Sequence, residues 1–141
     1  MKKRLSVIFL LGLLLCNLFV IPAAAAADMR ASEQIYRYNS NAAAIGNGEI
    51  AVNFSITAKS KMDEIGAETI RIYAQSGRQW ILVKSYYSDD DGMSSADTNY
   101  FSNTIYYSGI AGTYYKIDVT VFAENSAGSD SRTDTRYVTA R

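Results

Sequence analysis

Residues 49–59 read EIAVNFSITAK, and their alternation decides the fold. Ile50, Val52, Phe54, Ile56 and Ala58 fall on one side of an extended chain. Glu49, Asn53, Ser55, Thr57 and Lys59 fall on the other, with Ala51 neutral to the pattern. Side chains of a strand alternate faces, so one face is dry and the other wet.

The same period recurs outward from this stretch. A strand at 67–75 sets Ile70, Ile72 and Ala74 against Arg71, Tyr73 and Gln75. Lys61 to Gly66 is expected to be a turn before it, and Ser76-Gly77 a hairpin turn after it. The returning strand, 78–87, alternates poorly through Trp80, Ile81, Leu82 and Val83, which implies burial on both faces or a bulge. Residues 88–98 have loop composition. Strands follow at 99–107 and 113–124, the second with Tyr115, Ile117, Val119, Val121 and Ala123 on one face. The stretch 131–139 is polar on both faces and belongs at a sheet edge. Upstream, a short strand or arm is expected near 33–39, a loop from Asn41 to Asn47, and a turn at Asn47-Gly48.

About seven strands at this spacing, with no helical period, predict an all-β fold. The expected form is an antiparallel immunoglobulin- or fibronectin-III-like β-sandwich over 49–141, with a small barrel as competitor. Residues 28–48 form a polar N-terminal arm in this division of the chain.

The N-terminus has the layout of an export signal. Lys2, Lys3 and Arg4 precede an apolar run from Leu5 to Ile21, followed by Pro22 and the alanines 23–27. Cleavage is expected after Ala25-x-Ala27, before Asp28, with 1–27 forming a signal-peptide helix. Leu15 before Cys16 does not fit a lipid-attachment site, so Cys16 is read as part of the signal. The product would be secreted, with no stable membrane anchor. The chain ends at Arg141 without a sorting motif, so release rather than wall anchoring is expected.

Composition removes several chemistries. There is no histidine, and Cys16 is the single cysteine. Thiol nucleophiles, His-based triads and zinc sites built on His or Cys therefore drop out of the mature chain. Removing Lys2, Lys3 and Arg4 leaves 11 basic against 14 acidic residues, with no basic stripe, so nucleic acid is not an expected partner. Tyrosine is the abundant aromatic, with 11 copies.

Two resemblances can be placed on residues. Val119-x-Val121-x-Ala123-x-Asn125-x-x-Gly128 is similar to the F strand and F–G turn of fibronectin type III domains. That family's corner tyrosine would fall at Ile117, whereas this chain has Tyr115, and the family's B-strand tryptophan and prolines are missing. Ile70, Ile72, Gln75, Gly77, Trp80, Val83, Gly112 and Tyr114 resemble the pattern of an uncharacterised family of small secreted all-β proteins from clostridia-type Gram-positive bacteria. The second resemblance implies a secreted β domain and carries no activity.

Candidate sites are few. Asp89-Asp90-Asp91-Gly92 suggests calcium, but an EF-hand would need an acid or Asn where Tyr87 stands and Glu where Thr98 stands. A solvated acidic loop is expected instead. Asp118 and Glu124 lie six positions apart on one strand, about 20 Å, too far for a paired-carboxylate site. Trp80, Tyr86, Tyr87, Tyr106, Tyr107 and Tyr114 could form an aromatic surface, the alternative being core and cross-strand packing. In a strand, neighbours face opposite ways, so one of Tyr106/Tyr107 and one of Tyr114/Tyr115 must point outward.

The expected protein is a monomeric binding or structural module outside the cell, without catalysis, metal or cofactor. Its partner would be a protein or a cell-wall glycan, met through outward tyrosines and the loops 41–48, 88–98 and 125–130. The alternative is a carbohydrate-binding module using Trp80 and nearby tyrosines, which requires Trp80 to be exposed beside a second ring.

Overall fold

The alternating stretch at residue 49 does not stop where the sequence suggests. In the computed structural model, which describes residues 34–141, it runs on as a 28-residue strand, β2 (Glu49–Ser76). The other strands are β1 (Ile35–Gly46), β3 (Gln79–Tyr87), β4 (Ser94–Ser108), β5 (Tyr114–Asn125) and β6 (Gly128–Thr139). All pairings are antiparallel, and no helix occurs among the described residues. The expected signal peptide at 1–27, Cys16 and the expected cleavage site at Ala25, Ala27 and Asp28 lie outside the described residues.

β2 organises everything else. Along one side it pairs first with β1, then with β5; along the other it pairs first with β4, then with β3. β6 extends the sheet beyond β5. The result is one curled antiparallel sheet of six strands. Six rather than seven strands form because the expected turn at Lys61 to Gly66 is continuous strand. Its backbone is held on both sides, with Glu64, Ile65 and Gly66 paired to β4 and to β5 at once.

What the sequence signals as a turn is a bend. Residues 58–61 of β2 stand opposite Asn99 alone, because Thr57 pairs with Tyr100 and Met62 with Thr98. Glu68 is an extra residue against β5, between the pairs Ala67–Val121 and Thr69–Thr120. Extra residues on one strand bend it and sharpen its twist. Met62 and Ile65 are buried at the bend, so it has an apolar inside corner that a solvated turn would lack.

The curl brings both halves of β2 onto one core. Ile50, Val52, Phe54 and Ile56 from the first half join Ile65, Ile70 and Ile72 from the second. β5 adds Tyr115, Ile117, Val119 and Val121, and Met93 enters from the β3–β4 connection. Fully burying one such aliphatic or aromatic side chain contributes roughly 1.5–3 kcal/mol, so this cluster is the main stabilising term against chain entropy.

Three expected loops are also shorter than their composition implies. Residues 41–46 continue β1, because Ala42 and Ala44 pair opposite Val52 and Ile50 while Asn41 and Ile45 turn outward. Residues 94–98 belong to β4, paired to the bend of β2. Gly128 to Asp130 belong to β6. True turns remain at Asn47-Gly48, both with positive φ (54° and 81°), and around Ser126-Ala127. Positive φ at both central residues is what a tight hairpin turn requires.

The two edges facing each other, β1 and β6, meet through polar side chains. β6 sets Asp130, Arg132, Asp134 and Arg136 opposite the apolar Ala123, Val121, Val119 and Ile117 of β5. Arg132 pairs with Asp130, and Arg136 with Asp134. Ser40 of β1 donates its hydroxyl to Asp134 at 2.7 Å and accepts from the Arg136 Nε–H at 3.2 Å. Asp130, 3% exposed, also accepts the Ile35 N–H at 3.5 Å. Charges turned inward at an edge discourage pairing with a foreign strand.

Gly66 sits where β2 meets the β3–β4 connection. A Cβ there would lie 2.2 Å from the Met93 carbonyl oxygen and 2.5 Å from Ser94 Cα. The Ala67 N–H donates to that same Met93 carbonyl at 2.7 Å, so the backbone cannot withdraw without losing it. Gly66→Ala should destabilise the fold by about 1–3 kcal/mol, read as a lower urea midpoint with unchanged slope. Gly77→Ala, which meets nothing within 4 Å, should cost less, its φ of 60° being the remaining penalty.

Candidate functional site

β3, β5 and β6 bring their aromatic residues together at one end of the sheet. Gln75 of β2 pairs with Trp80 at the start of β3, and the two lie on the outer face. Tyr114 begins β5, and Tyr137 lies near the end of β6 opposite Lys116. Tyr114 pairs with Thr139, so Tyr114 and Tyr137 are diagonal neighbours across the β5–β6 pair, within reach of large side chains.

The rings form a contiguous patch. Tyr114 and Tyr137 stack, with centroids 5.9 Å apart and planes 21° from parallel. Trp80 lies 5.7 Å from Tyr114 and 5.9 Å from Tyr137, tilted at 47° and 50°. Tyr137 is 52% and Tyr114 40% exposed, and Trp80 is half-buried. Lys116 runs between them, its Nζ 4.3 Å from the Tyr73 ring centroid and 5.9 Å from that of Trp80. Asp118 holds the same ammonium at 3.6 Å and accepts the Thr135 hydroxyl at 2.7 Å. Cation–π contacts and offset rings favour a fixed arrangement over independent rotamers.

This geometry divides the tyrosines expected at the surface. Trp80 and Tyr114 are brought together. Tyr87 is exposed on β3 beside the turn, where its N–H donates to Asp90 Oδ2 at 2.8 Å. Tyr106 is exposed on β4, away from the patch. Tyr86 and Tyr107 turn toward the core instead. Tyr86 pairs with buried Ile70 and donates to the Tyr106 carbonyl at 3.2 Å. Tyr107 pairs with buried Ile50 and meets Tyr115 edge-on at 5.7 Å. Of the adjacent pairs, Tyr106 and Tyr114 are outward while Tyr107 and Tyr115 face in.

Tyr73, Tyr137 and Lys116 belong to the patch and escape a reading by adjacency. The outward parity of Tyr73 is visible in the 67–75 alternation. What sequence does not supply is the register that sets β6 beside β5 and β2 beside β3.

β3 presents a second feature. Ile81, Leu82 and Val83 are 50%, 52% and 42% exposed. Of the two explanations for their poor alternation the bulge is the observed one: Val83 is the extra residue against the step Ile72–Tyr73. β3 pairs with β2 alone, so its other edge carries no strand among the described residues.

The bend of β2 carries the opposite character. Glu64, Glu68, Glu124 and Asp130 line a groove of about 250 Å³ with Phe122 and three serines. Glu64 and Glu124 stand directly opposite each other across β2 and β5. Ser94 donates to Glu64 at 2.7 Å. In the Asp89–Asp91 loop, Asp90 is engaged in closing the turn through Tyr87. Among the described residues, no three metal-ligating side chains converge.

No family model, curated protein or solved structure matches the chain. The site must therefore be argued from its chemistry.

Burial raises the Tyr107 hydroxyl above its ordinary value, with Tyr115 and Tyr86 adding to the shift. Burial does the same for Tyr86, reinforced by Asp90. Both groups keep their protons longer in the folded state than in the unfolded one. Above about pH 10 the unfolded chain releases protons that the folded chain retains, so stability falls as pH rises. Tyr107→Phe should flatten that alkaline decline in urea midpoints measured between about pH 9 and 11.

Proposed function

We propose that this protein is an exported carbohydrate-binding module whose contact surface is the ring patch of Trp80, Tyr114 and Tyr137, backed by Tyr73. The observation that carries this reading is the partly exposed Trp80 packed beside two exposed rings on one face of a sheet. Pyranose rings offer an apolar face of C–H groups, and an aromatic face with its negative quadrupole is the complementary surface. A preset patch loses little side-chain freedom on binding, which favours affinity. The curled sheet serves as a rigid β-sandwich support in this reading, its two layers being the two halves of β2 with their neighbours. The shared core of those halves supports that layering.

Export follows from the leader at 1–27, and the mature protein would begin at Asp28 and act outside the cell as a monomer. N-terminal sequencing of the extracellular product tests this part. No catalytic step is needed for such a module.

The test is a binding panel with purified protein against soluble and insoluble polysaccharides and isolated Gram-positive cell wall. Trp80→Ala and Tyr137→Ala should each weaken retention at least about tenfold, corresponding to about 1.4 kcal/mol or more. Far-ultraviolet circular dichroism should be unchanged, since both rings lie outside the core. Absence of binding across the panel, or binding indifferent to both substitutions, would overturn the reading.

A second reading rests on β3. Its unpaired edge with exposed Ile81, Leu82 and Val83 suits a protein segment adding as a further strand. Ile81→Lys, paired with Ala74 on the face away from Trp80, would abolish such an interaction and leave glycan retention intact.

A further inference from the structure

Charge is distributed very unevenly over this nearly neutral chain. Residues 69–88, 98–117 and 135–141 contain no Asp or Glu. Parts of these segments build the aromatic end of the sheet. They bring Arg71, Arg78 and Lys116 to its outer face, and the nearest acid in register is Asp118. The carboxylates gather at the bend instead, with Glu64, Glu68, Glu124 and Asp130 lining the groove, Asp63 next to it in the chain and Asp89 to Asp91 in the adjoining turn.

The acid nearest the rings does not neutralise the cations there. Asp118 contacts Lys116 at 3.6 Å and also accepts the Thr135 hydroxyl. Arg71 is exposed and stands directly opposite Asp118 on the outer face, so two cations flank one carboxylate. Arg78 is exposed in the β2–β3 turn, two residues before Trp80. Lys116 lies between Tyr73 and Trp80, so its ammonium reaches the surface from inside the ring patch.

We infer that the glycan received by this face is anionic: a sugar polymer bearing carboxylate or phosphate groups, its rings on Trp80, Tyr114 and Tyr137 and its charges on Arg71, Arg78 and Lys116. This rests on the carbohydrate-binding reading above and specifies its substrate class. A neutral glycan would use the rings and leave the charges of Arg71 and Arg78 unused. An anionic one uses both, and the acidic bend at the far end orients its approach. With 14 basic and 14 acidic residues the chain as a whole offers such a polymer no net attraction, so the local excess of cations is what the partner reads.

The test compares four probes by affinity electrophoresis with the intact protein: polygalacturonate, a phosphorylated mannan, unmodified mannan and polyglutamate. Preference for either anionic polysaccharide over mannan supports the inference, and the better of the two identifies the anion. Raising salt from about 0.05 to about 0.5 M should weaken that binding several-fold, because exposed charges are screened over a few ångströms at the higher concentration. Arg71→Gln and Arg78→Gln should each reduce it roughly 2- to 5-fold, the range of exposed ion pairs. Neither variant removes a ring, so the readout is the ratio of anionic-polymer to mannan binding, which each should lower. Lys116→Arg should retain more affinity than Lys116→Gln.

Equal, salt-insensitive binding of mannan and the anionic polymers overturns the anionic assignment and leaves the ring patch standing as a neutral-sugar site. Binding of polyglutamate as tight as polygalacturonate overturns the sugar component, since charge alone would then suffice. No binding of any polysaccharide overturns both readings together.

Discussion

The structure depends on a single bent strand. β2 is hydrogen-bonded along its length to four other strands, and both of its halves contribute to one core. That arrangement requires the strand to bend without breaking. The residues inserted at 58–61 and at Glu68 supply the bend, and Met62 and Ile65 give the corner an apolar lining. Gly66 then lets the β3–β4 connection lie against the corner at a distance no side chain would permit. Hydrophobic periodicity makes the two sheet halves, and the bulges decide that they close on each other.

The remaining edges follow from that closure. Curling a sheet brings β1 toward β6, and their contact is made by Ser40, Asp134, Arg136 and Asp130 rather than by more apolar surface. Each of these groups has a partner, so the seam avoids the large cost of an orphaned buried charge. It also leaves little to attract a foreign strand. β3 is handled differently from that seam, with Ile81, Leu82 and Val83 exposed along it.

The strand content was legible because alternation is a local signal. Ile50 to Ala58, Ile70 to Ala74 and Tyr115 to Ala123 announce their faces residue by residue. The corner was misread because Lys61, Asp63, Glu64 and Gly66 are turn-forming in composition, while their hydrogen bonds are fixed by β4 and β5 far along the chain. Asn41 to Gly46 was misread for the same reason: small and polar residues form strand there because β2 supplies the pairing. Half of the ring patch was visible in Trp80 and Tyr114. Tyr137 required the β5–β6 register, and Lys116 required the knowledge that its neighbours across the sheet are rings. Tyr86 and Tyr107 were grouped with the surface by adjacency in sequence, although strand parity turns them inward.

No two rings of the patch come from the same strand: Tyr73, Trp80, Tyr114 and Tyr137 belong to four different ones. A chain with only its first hairpins formed therefore possesses no such surface, and recognition is an all-or-none property of the completed sheet. Any ligand held there is linked to global unfolding and must raise the melting temperature, by an amount that grows with the logarithm of its concentration once the site is filled. A ligand of that surface would thus meet only molecules that had already finished folding.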